Sequence, residues 1–93
     1  MKVSDFVQQV NRVLLSKKVE TLRSVPGCGW GARSQSNAYR IGIEGRNELH
    51  GHHGANLSDY FIYSLNLKTD VEEIIPFSTP EQVAEWISEQ LAK

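Results

Sequence analysis

Apolar residues recur with helical spacing at both ends of this chain and with alternation in its middle. Near the start, Val3, Phe6, Val7, Val10, Val13 and Leu14 trace one stripe at the spacing of an amphipathic helix. Ser4 is placed to cap that helix and Asp5 suits the positive end of its dipole. The pattern breaks at Ser16-Lys17-Lys18, where basic residues favour a stop. The end of the chain, "STPEQVAEWISEQLAK", predicts a second helix. Thr79 is its N-cap, Pro80 its first helical residue, and Gln82 completes a capping box. Val83, Trp86, Ile87 and Leu91 form its apolar stripe, and Glu81, Glu85 and Glu89 an acidic outer row.

Three segments between the helices alternate. In "NAYRIGIEG" Tyr39, Ile41 and Ile43 share one face and Arg40 and Glu44 the other, with Gly42 read as a bulge. In "DYFIYSLNLK", residues 59–68, Phe61, Tyr63, Leu65 and Leu67 share a face while Tyr60 and Ile62 make the opposite one apolar too, which predicts a central strand. In "VEEIIPF" Val71, Ile75 and Phe77 alternate, and Pro76, which cannot donate to a ladder, puts this strand at an edge or ends it. Residues 19–25 fit either a strand, by Val19, Thr21 and Val25, or a continuation of the first helix; β-branched content favours the strand, and Pro26-Gly27 ends it. The expected fold is α+β: a small antiparallel sheet of three to four strands with an N-terminal and a C-terminal helix on one face, ordered α-β-β-β-β-α or α-β-β-β-α.

Size and composition narrow the class. At 93 residues the chain makes a single domain, 1–93, and 40% hydrophobic with 23% charged residues is ordinary for a globular protein. Folding should bury somewhat over ~60% of the unfolded surface, so neither a metal nor a disulfide is needed as a staple. The one cysteine, Cys28, excludes an internal disulfide and fits a reducing compartment. Neither a signal peptide nor a run near the ~18 apolar residues of a membrane span is read, so a cytoplasmic protein with no membrane partner is expected. Charge is uneven: residues 1–48 carry eight basic side chains against four acidic, residues 49–93 two lysines against seven carboxylates. Such polarity steers charged partners if the halves fold to different sides, and averages out if they interleave.

The first candidate for chemistry is "ELHGHHGANLSDY", where His50, His52 and His53 fall within four positions. Neutral imidazoles at i, i+2 can share zinc or another divalent transition metal, with Cys28 or Asp59 as a further ligand. The competing reading is a polar loop that takes metal only adventitiously, since a glycine-flanked loop is poorly preorganised. Ser58 and Asp59 supply triad residue types beside the histidines, yet triads are assembled from separate elements, so no catalytic residue is assigned.

The second candidate is "VPGCGWGARSQSN". It lacks a P-loop ending and leads into a strand, which argues against nucleotide binding. Trp30 with Arg33, Tyr39 and Arg40 suits a protein interface, or stacking on unpaired bases with arginines on phosphate. The alternative is that Trp30 folds onto the core. Helix, three strands, helix resembles the topology of the double-stranded-RNA-binding domain. That family docks RNA through a basic cluster at the start of its last helix, where this chain reads "TPEQVAEW", so no RNA-binding residue carries over.

The leading expectation is a small non-enzymatic module, without cofactor, that binds a protein partner through Trp30, Arg33, Tyr39, Arg40, His50, His52 and His53. Single-stranded nucleic acid bound by the basic half and a metal-dependent activity at His50, His52 and His53 are the alternatives, and the edge strand leaves a homodimer open.

Overall fold

The computed structural model describes residues 1–26, 29–46 and 54–93. Helix α1 (Val3–Ser16) is followed by β1 (Arg23–Val25), β2 (Gly29–Arg33), β3 (Tyr39–Gly45), a 3-10 turn (Leu57–Asp59), β4 (Tyr60–Asn66), β5 (Glu72–Ile75) and helix α2 (Pro80–Leu91). The strands form one antiparallel sheet in chain order, β1-β2-β3-β4-β5, giving the α+β class that the sequence pattern predicts, with five strands. No described helix is long and apolar enough to cross a membrane.

The ends of α1 show where side-chain rules yield to tertiary contacts. Ser4 is not the cap. The N-cap is Lys2, whose side chain caps nothing; instead the Val3 N–H donates to the Ala55 carbonyl at 3.1 Å and Lys2 bridges to Asn56. Backbone pairing with residues 55–56 thus takes over one of the helix's orphan donors. At the other end Lys18 is left-handed (φ 58), the Val19 N–H donates to the Leu14 carbonyl and the Lys18 N–H to the Leu15 carbonyl. This is a Schellman stop, with Val19 packed back on the core and lysine where glycine is usual. The side chain of Asn11 then clamps Leu22, accepting from its N–H at 2.8 Å and donating to its carbonyl at 3.0 Å. Only the last three residues of 19–25 join the sheet. Thr79 caps α2 by accepting from the Gln82 N–H at 3.2 Å. The Gln82 side chain takes the Ser78 hydroxyl rather than closing the box on Thr79.

Both helices cover one face of the sheet. Val3, Phe6, Val7, Val10 and Leu14 of α1 and Val83, Ala84, Ile87 and Leu91 of α2 form a single core with Trp30, Ile41, Ile43, Tyr60 and Ile62. The additional strand is β2. Glycines at 29 and 31 hide its period, because only Trp30 and Ala32 carry side chains to the core and the intervening face is bare. Gly42 is no bulge: it pairs in register with Gly31 on one side and Tyr63 on the other.

Candidate interaction surface on the open sheet face

Alternation along each strand sends every second side chain away from the helices, and the register sorts these into rows across the sheet. One row reads Arg23, Gly31, Gly42, Tyr63, Ile74. A second reads Val25, Gly29, Glu44, Phe61, and a third Arg33, Arg40, Leu65, Glu72. Among the described residues no helix covers this face. On β4 it takes Phe61, Tyr63 and Leu65, so the most apolar alternation in the sequence faces away from the helical layer.

Glycines give the face its floor. A Cβ on Gly42 would collide with the Trp30 carbonyl oxygen and lie 2.9 Å from the Gly31 Cα, and Gly29 (φ 152) is equally barred by the backbone of Ile43 and Glu44. These positions are glycine because β2 and β3 approach too closely for a side chain. Gly31 differs. A Cβ there would meet only the Ile41 carbonyl at 3.5 Å, the Tyr63 hydroxyl at 3.8 Å and Val25 at 3.9 Å, all ordinary contacts. The Tyr63 side chain reaches over this bare strip and is only 2% exposed although no helix lies on it; its ring tilts against Phe61 at 5.8 Å.

Arg33 and Arg40 stand directly opposite each other at the turn end of the β2–β3 hairpin. Like charges placed so destabilise a strand pair. Among the described residues no carboxylate lies within ion-pairing distance of either guanidinium. They line an open cleft of about 520 Å³ together with Glu20, Val25, Gly31 and Asn37. The hairpin tip is held firmly: the Tyr39 N–H donates to the Ser34 hydroxyl at 3.0 Å, the Gln35 N–H to the Leu91 carbonyl at 2.8 Å, and the Ser36 hydroxyl to the Lys93 carbonyl at 2.7 Å. The second of these bonds satisfies the last carbonyl of α2 and the third a carbonyl just beyond it.

The residues singled out in the sequence therefore divide. Arg33 and Arg40 share the open face. Trp30 lies on the helix side, 7% exposed, with its ring 5.9 Å from that of Tyr60, so the expectation that it folds onto the core describes its position. Tyr39 also lies on that side, half-buried, with the Lys93 ammonium 5.3 Å from its ring. The expected set is thus split by the sheet itself. His50, His52, His53 and Cys28 lie outside the described residues. Asp59 is exposed in the 3-10 turn, and among the described residues no group of three or more histidine, cysteine, aspartate or glutamate side chains could hold a metal. The alternation of "DYFIYSLNLK" places Leu65 on one face of its strand without saying which face the helices take, and that of "VEEIIPF" marks an edge without naming Ile74.

Because the sheet is a meander, sequence order becomes spatial order. Arg23, Arg33 and Arg40 sit on β1 to β3, whereas Glu72 and Glu73 sit on β5, so the charge asymmetry of the chain survives within the sheet. One buried polar atom stands apart: the Tyr60 hydroxyl finds no hydrogen-bond partner among the described residues. Burial, reinforced by the Asp59 carboxylate, pushes its pKa up. No protein-family model, curated protein or solved structure matches this chain.

Proposed function

We propose that this chain is a small non-enzymatic interaction module that binds a protein partner on the open face of its sheet. The observation that carries this reading is the pair Arg33 and Arg40, opposed and without a carboxylate partner among the described residues, beside apolar side chains that no helix covers. An arrangement that costs the fold stability and serves no packing role suits a surface whose missing partner comes from outside. An exposed apolar residue of β5 extends it: Ile74 is 55% exposed. Arginine is among the side chains that dominate protein interfaces.

Photo-crosslinking in cells tests this. A crosslinking amino acid at Ile74 should give an adduct of one defined mass, and the same group at Gln9, exposed on α1, should give none. Adducts from Gln9 alone, or equally from both sites, would contradict the assignment.

A further inference from the structure

We infer that the partner's segment on this face is an acidic, extended peptide, with one carboxylate seated between Arg33 and Arg40 beside Gly31 and a large apolar side chain two residues along on Leu65. The inference rests on the preceding reading of the open face as the docking surface.

Three observations select this ligand. First, the two arginines are register partners on neighbouring strands and line one cleft to which Gly31 contributes no side chain, so a carboxylate can enter between them. Arginine binds carboxylates through paired N–H donors, and two arginines provide both forks. Second, Leu65 follows Arg40 in the same row. The step from the midpoint of the arginines to β4 is about 7 Å, and an extended chain places residues i and i+2 on one face at about that separation. Third, the face lacks what a nucleic acid needs. Tyr63 is too buried to stack on a base, and Glu20, Glu44 and Glu72 interrupt any basic track, whereas a nucleic acid repeats its charge along the whole strand. A peptide has to place only one carboxylate at the arginines and can turn neutral or basic groups toward Glu72.

Selection of a displayed random-peptide library against the full chain is the test, followed by amide mapping of the enriched peptides. The expected sequences carry aspartate or glutamate two positions from a large apolar residue, shift the amides of Gly31, Arg40 and Leu65, and lose about tenfold or more in affinity with either Arg33→Ala or Arg40→Ala. Glu20→Gln, which removes the carboxylate in the cleft, should tighten the same peptides. Enriched peptides without an acidic residue that still shift Leu65 and Ile74 would overturn the acidic ligand and leave the docking face standing. If no enriched peptide shifts open-face amides, both fall. A single-stranded oligonucleotide that binds through Arg33 and Arg40, where acidic peptides do not, would overturn the inference in favour of nucleic acid. Unchanged amide dispersion in α1 and α2 shows that each variant still folds.

Discussion

On the helix-covered face Trp30, Ile41, Ile43, Tyr60 and Ile62 are each at most 7% exposed, while the opposite side of the same strands carries glycines, two tilted aromatic rings and three arginines. The first face is filled as cores are, by interlocking side chains that exclude water. The second leaves a bare strip, sets two like charges opposite one another and exposes Ile74. Burial accounts for the first arrangement and close strand approach for Gly29 and Gly42 of the second, whereas neither accounts for the opposed arginines. The contrast separates residues that hold the fold from residues available for binding, even within one strand.

The largest expected effect lies in the floor shared by both faces. Gly42→Ala forces a Cβ into the β2 backbone and should cost about 3 kcal/mol or more, or prevent folding, as measured by urea unfolding. Its neighbour across the ladder, Gly31→Ala, should fall within about 0.5 kcal/mol of the parent, because the same methyl group meets only ordinary contacts there. Equal losses at the two sites would break the distinction between a glycine required by close approach and one that merely leaves the cleft open.

A smaller effect probes the filled face. Tyr60→Phe removes a buried hydroxyl with no partner among the described residues, and should leave stability unchanged or raise it by about 1 kcal/mol. It should also flatten the alkaline limb. Burial raises the folded pKa above the 10.0 of the unfolded side chain, so above about pH 10 the unfolded chain releases a proton that the folded protein retains. Stability conferred by the neutral phenol is therefore present below that pH and lost as pH rises through the folded pKa. Denaturant midpoints between pH 8 and 11 measure the difference between the two proteins. A steeper decline in Tyr60→Phe would mean that the folded phenol titrates below the unfolded one, against the effect of burial.

Much of this architecture is legible in the sequence because burial writes a period into it. The stripes of α1 and α2 and the alternation of Ile41 and Ile43 follow directly from 3.6- and 2-residue repeats. What the sequence hides is set by glycine and by distance. β2 is invisible to a hydrophobic period because glycine is half of its pattern, and the start of α1 depends on Ala55 and Asn56, about fifty positions away. Periodicity also cannot say which face of a two-sided strand the helices will take: β4 carries Phe61, Tyr63 and Leu65 on one side and Tyr60 and Ile62 on the other, and the helices cover the second. Within the candidate site, Arg33 and Arg40 were recognisable as a basic pair near a tryptophan. Their opposition in register, and the separation of Trp30 from them by the sheet, required the pairing of β2 with β3.

The smallest stability change bears on the central claim, that Arg33 and Arg40 are opposed for a ligand's sake and not for the fold's. Arg33→Glu turns a repulsive cross-strand pair into an attractive one. Urea unfolding and titration with a library-selected acidic peptide, run on the same preparation, should show a variant more stable by about 0.5 kcal/mol that no longer binds the peptide. A variant that is less stable than the parent, or that holds the peptide as tightly, would contradict the account.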